Sequence, residues 1–291
     1  MKIALHALSF KAEYLFHVER LFQELENHQF EILVTEPMDR ALKMLGNNRL
    51  TYWLIENEGD LKSADFLISI GGDGTLLDAV CLIGPLEIPI LGLNTGRLGF
   101  LATAATDRIG EAIDNLATGN FQTESRSLIS LECSRRLFNG INFALNEFTI
   151  HKRDTSSMIT VHTYIDGKYL NSYWADGLIV STPTGSTGYS LSCGGPLITP
   201  AAKSFVITPV SPHNLNVRPI IISDDSEISF EIEGRSEKFL ISLDSRSTSI
   251  SSEIKLSVKK ELFSAKLIKL PNLHFFDTLR QKLNWGFDMR N

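Results

Sequence analysis

The segment that most constrains the fold of this chain runs from Ala64 to Ile70 and is followed at once by Gly-Gly-Asp-Gly-Thr at 71–75. Its nearly continuous apolar character is typical of a strand buried on both faces of a parallel sheet. A glycine-rich turn between such a strand and a helical pattern is typical of open α/β sheets, in which ligands bind beyond the carboxyl ends of the strands. The segment therefore predicts an α/β domain with a ligand-binding loop.

The rest of the first 121 residues alternates between strand and helix patterns in the same way. The predicted strands are Lys2–Leu8, Phe30–Thr35 and Ile88–Leu93. The predicted helices are one with a buried stripe of Leu15, Val18, Leu21, Phe22 and Leu25, one that begins near Pro37, and two over Thr75–Ile83 and Asp107–Leu116. This alternation predicts a parallel sheet with right-handed crossovers in a first domain, residues 1–121.

After Phe121 the apolar residues alternate with a period of two, which predicts a β-rich second domain, residues 122–271, made of two packed antiparallel sheets. Asp166-Gly167 and Glu233-Gly234 are each expected to form the turn of a hairpin. The flanking strands are Met158–Ile165 with Lys168–Trp174, and Glu227–Ile232 with Lys238–Leu243; two further strands are Ile254–Val258 and Ser264–Leu270. The tail, residues 272–291, has a helical pattern and is expected to return to the first domain.

The composition excludes several classes of protein. The chain has 28 Lys and Arg against 34 Asp and Glu, a formal net charge of -6, which argues against a nucleic-acid partner because phosphate backbones bind basic faces. No stretch approaches the ~20 consecutive apolar residues of a membrane span. Cys81, Cys133 and Cys193 are too scattered for a disulfide framework or a zinc site, a pattern that suits the reducing cytoplasm.

Asp73 is the most informative residue of the glycine-rich loop. Glycines let backbone N–H groups approach phosphate closely and a helix N-terminus favours anions, so Gly71, Gly72 and Thr75 are expected to bind phosphate. A carboxylate in such a loop would repel the ligand unless it accepts a proton from an attacking hydroxyl or contacts Mg²⁺ on the phosphates. The alternative is that Asp73 caps the helix and the glycines form a tight turn. Because capping needs one glycine at most, we favour the functional interpretation.

A second glycine-bearing loop, Asn94–Leu101, follows the next predicted strand. We expect it at the same edge of the sheet, beside the first loop, with Asn94 as a further phosphate contact. Arg97 is a candidate to offset phosphate charge, and Phe100 and Leu101 are candidates for an apolar wall against a base. An ordinary strand-to-helix connection with Phe100 in the core explains the same residues equally well.

A third polar segment, from Ala175 to Ser190, passes from a predicted strand into glycines, serines and threonines without net charge. Many hydroxyl and amide donors with little bulk suit a nucleoside or its phosphates, although a solvated linker is the alternative. Asn146 and Glu147 lie within a predicted strand, Phe143–Ile150. Since adjacent residues of a strand face opposite sides, only one would point into a cleft unless the strand is bulged, and an exposed strand pair is the default interpretation.

Taken together, these segments resemble the NAD kinase family over nearly the whole chain. The resemblance rests on Gly-Gly-Asp-Gly-Thr at 71–75, Asn-Thr-Gly-Arg-Leu-Gly-Phe at 94–100, Asn-Glu at 146–147, and Asp-Gly-Leu-Ile-Val-Ser-Thr-Pro-Thr-Gly-Ser-Thr-Gly-Tyr-Ser at 176–190. The first motif also occurs in lipid kinases and, as a close variant, in phosphofructokinases. The last motif is far more specific.

The resemblance implies an α/β domain of the type shared by NAD kinases, lipid kinases and phosphofructokinases, a C-terminal all-β domain, and an NAD site in the cleft between them. It implies that ATP phosphorylates NAD⁺ to NADP⁺ with Mg²⁺, that Asp73 is the general base for the 2′-hydroxyl of the adenosine ribose, and that the protein is a homodimer or homotetramer. The implied NAD contacts are Asp73, Gly74, Phe100, Asn146, Glu147, Asp176, Thr187, Gly188, Tyr189, Ser190, Leu191 and Ser192.

Some positions depart from the family pattern or have an open role. Gly188 and Cys193 stand where many relatives have alanine, Trp174 stands where a basic residue is common, and Asp244 matches a further acidic position. Two other functions stay open at this point. A lipid or sphingoid kinase would share the glycine-aspartate loop, and a non-catalytic dinucleotide sensor would keep the site without the chemistry.

Overall fold

The computed structural model of the chain describes residues 1–46, 49–96, 99–101, 104–153, 157–271 and 274–284. They form two compact units, Met1–Ser125 with Ala265–Asn291, called the first unit, and Arg126–Ser264, called the second unit. In the described part of the chain no helix combines the length and apolar character that a membrane crossing needs.

Helices and strands are numbered along the chain. The helices are α1 (Leu15–Asn27), α2 (Glu36–Met44), α3 (Glu58–Lys62), α4 (Asp73–Ile83), α5 (Ile109–Thr118), α6 (Tyr189–Ser192) and α7 (Phe275–Leu283). The strands are β1 (Lys2–His6), β2 (Glu31–Val34), β3 (Trp53–Leu54), β4 (Phe66–Gly71), β5 (Ile90–Asn94), β6 (Ala104–Ala105), β7 (Gln122–Cys133), β8 (Phe143–Ala144), β9 (Glu147–Lys152), β10 (Ile159–Ile165), β11 (Lys168–Ala175), β12 (Gly177–Ser181), β13 (Ser204–Val210), β14 (Ile220–Ser223), β15 (Ile228–Glu233), β16 (Lys238–Leu243), β17 (Arg246–Ser251) and β18 (Leu256–Lys269).

The first unit contains a parallel sheet in the order β18-β5-β4-β1-β2-β3, with β6 beside β5. The predicted stripe of α1 is buried at Val18, Leu21, Phe22 and Leu25, because these residues share the helix face that packs on the sheet core. Helix α5 joins the same core, and α4 contacts β4 and β5. The predicted α/β fold is confirmed, and β4 and β5 end side by side at the edge that carries both glycine loops.

The second unit contains two antiparallel layers, as predicted. One has the order β14-β13-β12-β9-β16-β17, and the other includes β11, β10, β15 and β18. Their inner faces share one apolar core, in which the rings of Phe148 and Phe230 lie 5.7 Å apart. At the predicted turn between β10 and β11, Asp166 and Gly167 have φ values of 49° and 74°, as a two-residue hairpin turn requires.

The hairpin predicted at Glu233-Gly234 is wrong. Strand β15 pairs with β10 and β18, whereas β16 pairs with β9 and β17 in the other layer, so the connection crosses between layers. Gly234 does not have a left-handed φ, and four residues separate the strands, which is more than a tight primed turn allows. The hairpin partner of β16 is β17, joined through Asp244-Ser245, with Asp244 at φ 53°.

Two other strand predictions need correction. Ile254–Val258 and Ser264–Leu270 are not separate strands, because Leu256–Lys269 is the single strand β18. Phe143–Ile150 is not one strand either: β8 and β9 are separated by a bend at residues 145–146. The bend removes the objection that adjacent residues must face opposite sides, since Asn146 precedes the first strand residue, Glu147.

Candidate functional site

The glycine loop of the first unit joins β4 directly to α4. The helix begins at Asp73, two residues earlier than predicted, and its N-cap is Gly72. A Cβ atom built on Gly72 or Gly74 would have no described atom within 4 Å, and both residues are exposed. The protein's own packing therefore does not require glycine at either position, and the backbone at the helix N-terminus is open to an anion.

The Asp73 carboxylate bridges the two loops. Its Oδ2 atom accepts a hydrogen bond from the Phe100 N–H at 2.9 Å, and its Oδ1 atom accepts one from the Leu101 N–H at 3.2 Å. The N-cap of α4 is Gly72 and Asp73 is the first helical residue, so the part of the alternative interpretation that makes Asp73 the helix cap is wrong. A Cβ atom on Gly99 would overlap this carboxylate, and glycine is required there for that reason.

Strand register confirms that the second loop lies beside the first. Gly71 pairs with Asn94 across β4 and β5, and the Thr95 N–H donates to the Gly71 carbonyl at 3.2 Å. Asn94 is buried; its Oδ1 atom accepts from the Gly96 N–H at 2.9 Å. Its Nδ2 atom is buried without a hydrogen-bond partner among the residues that the structure describes.

The other residues predicted to act in the second loop differ in burial. Phe100 is half-buried and lies outside the apolar core of the first unit, while Leu101 is buried. Arg97, the candidate for offsetting phosphate charge, lies outside the described residues.

In the second unit, the bend that carries Asn146 and Glu147 is held by two neighbouring segments. On one side the Asp244 carboxylate accepts hydrogen bonds from the N–H groups of Leu145, Asn146 and Glu147, at 2.9, 2.8 and 3.0 Å. On the other side, the Asn146 carbonyl accepts from the Thr182 N–H at 2.8 Å. The bend is therefore rigidly placed by residues far away in the sequence.

Both side chains of the bend keep free acceptor atoms. Asn146 Oδ1 and Glu147 Oε2 are buried atoms without hydrogen-bond partners among the described residues. Burial, with a smaller contribution from the Asp244 charge, raises the pKa of Glu147 to about 8. Buried polar atoms are normally satisfied, so two such atoms on neighbouring residues indicate a partner that comes from outside the chain.

The polar segment that follows β12 is folded and is not a solvated linker. It forms a 3-10 helix over Thr184–Thr187 and then α6. Most of its hydroxyl groups bond within the chain: Thr182 to the Leu145 carbonyl at 2.5 Å, Ser186 to the Pro183 carbonyl at 2.7 Å, and Ser190 to Thr208 at 2.8 Å. A Cβ atom on Gly185 would overlap the Asn146 carbonyl, which ties this segment to the bend.

The residues predicted to contact NAD in this segment differ in accessibility. Ser190 is buried, whereas the accessible or partly accessible members are Thr187, Gly188, Tyr189, Leu191 and Ser192. Burial raises the pKa of Tyr189, and the charges of Cys193, Asp176 and Glu147 add to that effect. These charges place Tyr189 in the same neighbourhood as Asp176 and Glu147.

Asp176 has two neighbours that the sequence did not suggest. Its carboxylate forms an ion pair with Lys152 Nζ at 2.5 Å. The ring of His151 stacks on Tyr189 with centroids 5.5 Å apart, and burial lowers the pKa of His151 although Asp176 opposes that shift. His151 and Lys152 are the last two residues of β9, where both are partly buried after three buried residues, and no sequence pattern indicated them.

Among the residues that the structure describes, no three His, Cys, Asp or Glu side chains gather into a group that would hold a metal ion alone. Trp174 is half exposed, and its ring lies 4.2 Å from that of His213.

Comparison with known proteins decides the family. A model of the ATP-NAD kinase N-terminal domain matches residues 3–121, and a model of the ATP-NAD kinase C-terminal domain matches residues 145–270. The chain belongs to the ATP-NAD kinase family. Relatives in this family include the NAD kinases of Cytophaga hutchinsonii, 53% identical, and Flavobacterium psychrophilum, 46% identical, each matched over 100% of both chains.

Two solved structures are also similar to this member of the ATP-NAD kinase family. An NAD kinase from Archaeoglobus fulgidus in complex with ATP is 25% identical, with a TM-score of 0.76 over 98% of this chain and 99% of that one. Yeast NADH kinase complexed with NADH is 21% identical, with a TM-score of 0.88 over 100% of this chain and 89% of that one, which shows the shared fold.

Proposed function

We propose that this chain is an NAD kinase, which transfers the γ-phosphate of ATP to the 2′-hydroxyl of the adenosine ribose of NAD⁺ and yields NADP⁺ and ADP. The observation that carries the proposal is the Asp73 carboxylate at the N-terminus of α4, beside two open glycines, in a chain of the ATP-NAD kinase family. The named relatives and the ATP complex of the Archaeoglobus fulgidus enzyme support the same reaction.

In the proposed reaction Asp73 is the general base. A ribose hydroxyl is a weak nucleophile at neutral pH, and a positioned carboxylate that takes its proton typically accelerates the reaction by roughly 10²–10⁴-fold. The hydroxyl oxygen forms a bond to the γ-phosphorus, the bond to the ADP oxygen breaks, and the proton moves to Asp73. A carboxylate has about four lone-pair sites. The hydrogen bonds that Asp73 accepts from the N–H groups of Phe100 and Leu101 therefore leave acceptor sites for the ribose hydroxyl.

We propose that the ATP phosphates bind at the open backbone of the glycine loop. Gly71, Gly72, Thr75 and Asn94 are the proposed contacts, since they lie together where β4 and β5 end. The unpartnered Nδ2 atom of Asn94 supplies a buried donor. Mg²⁺ is commonly held by one or two carboxylates together with substrate phosphates, so a site of this kind fits Asp73 without a protein cage. When bound, Mg²⁺ would neutralise charge on the transferred phosphate.

We propose NAD⁺ contacts in each of the two units. Asn146 and Glu147 offer their free acceptor atoms, and Asp176 with Thr187–Ser192 extends the polar surface of the second unit. Asp73, Gly74 and Phe100 are the proposed contacts from the first unit. For Ser190, whose hydroxyl is buried against Thr208, the proposed contribution is restricted to backbone groups.

The proposed setting is a homodimer or homotetramer in the cytoplasm. The three scattered cysteines, Cys81, Cys133 and Cys193, suit a reducing compartment. Exposed apolar side chains on the edge strand β14, Ile220 and Ile221, suit contact with a second copy. Sedimentation of the purified protein tests the oligomeric state, and a monomer at micromolar concentration would contradict it.

The experiment that tests the function is an NAD⁺-dependent ADP-release assay with Mg-ATP, and with polyphosphate as a second donor. The wild type should form NADP⁺. Asp73→Asn should lose kcat by roughly 10²–10⁴-fold while still binding NAD⁺. Asp114→Asn, which changes an exposed aspartate on α5, is the matched control and should behave as the wild type.

Each other result has a definite meaning. Equal turnover by Asp73→Asn would remove Asp73 as the base. Phosphorylation of a lipid without NADP⁺ would indicate the lipid kinase alternative. Tight NAD⁺ binding without turnover for any donor would indicate a sensor.

A further inference from the structure

The turn of the β16–β17 hairpin has an unusual set of contacts. Asp244 occupies the left-handed region at φ 53° and directs its carboxylate to three consecutive N–H groups, those of residues 145–147. Its own N–H donates to the Glu147 carbonyl at 3.0 Å. A carboxylate removed from water is costly unless its lone pairs are satisfied, and three amides satisfy this one.

Arg246, two residues further on, holds the preceding part of the same segment. Its guanidinium donates to the Ile141 carbonyl at 2.7 Å and to the Phe143 carbonyl. One turn therefore binds the N–H groups of residues 145–147 through an anion and the carbonyls of residues 141 and 143 through a cation. A hairpin turn does not need such contacts for its own closure, because the β16–β17 ladder already pairs Leu243 with Arg246.

The segment held in this way carries the free acceptor atoms of the second unit. Asn146 Oδ1 and Glu147 Oε2 are two of the buried side-chain atoms that have no hydrogen-bond partner among the described residues, and they lie on adjacent residues. On the basis of the function proposed above, we infer that Asp244, assisted by Arg246, is a positioning residue of the dinucleotide site, which fixes the 145–147 bend so that Asn146 and Glu147 meet NAD⁺. Asp244 itself faces the backbone of the bend and does not contact the substrate.

The electrostatics of the bend support this inference. Burial raises the pKa of Asp244, and its three amide partners and Arg246 oppose that rise. The pKa of Glu147 is raised to about 8, first by burial and second by the Asp244 charge. The Glu147 charge in turn contributes to the raised pKa of Tyr189, after burial and the charges of Cys193 and Asp176. Asp244 therefore sets both the position and, in part, the protonation of Glu147.

The test compares two aspartates of the second unit. Asp244→Asn keeps the shape but replaces one acceptor oxygen with an NH₂ group that faces an amide N–H. Loss of a group that orients a metal ligand typically costs roughly 10–100-fold. By analogy we expect a rise of this size in the KM for NAD⁺, with the KM for ATP within about twofold. Asp224→Asn is the matched control, because Asp224 is 1% exposed and pairs with Lys260 away from the bend. It should leave both KM values unchanged.

A pH series of NAD⁺ binding supplies a readout that a merely structural role would not change. In the wild type the Kd should change through a midpoint near the Glu147 pKa of about 8. In Asp244→Asn the like charge is gone, so the pKa of Glu147 falls and the midpoint should move to lower pH. In Asp224→Asn it should stay in place.

Arg246→Lys covers the case in which Asp244→Asn does not fold. A lysine ammonium lacks the planar guanidinium group with which Arg246 binds the carbonyls of Ile141 and Phe143. The KM for NAD⁺ should therefore rise in Arg246→Lys as well, by a smaller factor than in Asp244→Asn. Equal changes in the KM values for NAD⁺ and ATP, or an unmoved pH midpoint in a folded Asp244→Asn protein, would overturn the inference. A wild type that forms no NADP⁺ would instead overturn the proposed function.

Discussion

Two segments rich in small residues look alike in the sequence and differ in the structure. In Gly71–Thr75 of the first unit, Gly72 and Gly74 are exposed, and no described atom lies within 4 Å of an added Cβ. In Ser181–Ser192 of the second unit, residues 181–186 are buried and several hydroxyls bond within the chain. Glycine leaves the backbone accessible at Gly72 and Gly74, whereas small side chains allow close packing in the second segment.

The two segments illustrate two different structural settings for a glycine. At Gly74 the fold itself has no steric need for glycine, and a ligand that approaches the backbone would supply such a need. At Gly185 the need is internal, since the Asn146 carbonyl occupies the space of a side chain. Substitution to alanine therefore should reduce function at one position and stability at the other.

The largest expected effect is that of Gly99→Ala, which breaks the contact between the two loops of the first unit. The new methyl group would overlap the Asp73 carboxylate and displace it. We expect kcat for NADP⁺ formation to fall by roughly 10²–10⁴-fold, as for loss of a general base. Gly96→Ala, in the same loop but without a described atom within 4 Å, is the control and should remain active. Equal kinetics for the two variants would show that the loop does not hold Asp73.

The next effect is that of Gly185→Ala in the second segment. The methyl group would overlap the Asn146 carbonyl and lie 2.6 Å from Ser181 Oγ. Overpacking of this kind typically lowers the free energy of unfolding by about 1–3 kcal/mol. Urea denaturation measures the change, and Ser192→Ala, at an exposed position of α6, should stay within about 0.5 kcal/mol of the wild type. A fully stable Gly185→Ala protein would contradict the close packing described here.

The smallest expected effect is that of Gly74→Ala, which should raise the stability of the protein and weaken its function. Gly74 lies in the first turn of α4 with open space around it, so Gly74→Ala should raise the free energy of unfolding by about 0.5–1 kcal/mol. The added methyl group should at the same time obstruct a ligand at the backbone and raise a substrate KM about tenfold, equivalent to about 1.4 kcal/mol. Unchanged KM values for both substrates would mean that no ligand approaches the loop there.

Sequence patterns predicted the parts of the fold that depend on local periodicity. The stripe of α1, the buried strand β4 and the turn at Asp166-Gly167 are all set by neighbours in the chain. The hairpin at Glu233-Gly234 failed because each flanking strand pairs with a distant partner in a different layer. Pairing across long sequence separations leaves little local trace.

In the candidate site, too, local features were predictable from the sequence and long-range contacts were not. Composition and spacing indicated Asp73 as a residue with a role, but not that Phe100 and Leu101 would bind its carboxylate. The pattern at Asn146 and Glu147 was uninformative because the bend that carries both depends on Asp244, about a hundred residues later. Contacts of that range depend on the assembled sheets and could not be inferred from one sequence.

The carbonyl of Asn146 has a practical implication for anyone who redesigns substrate preference in this protein. Because Gly185 packs against this carbonyl and the Thr182 N–H donates to it, the proposed NAD⁺ contacts at 146 and 147 depend on the segment after β12 for their position. Moving residues 145–147 alone into another protein would transfer the side chains without the contacts that position them. A combinatorial library should vary that stretch together with 181–185 and 244–246, or leave all three untouched.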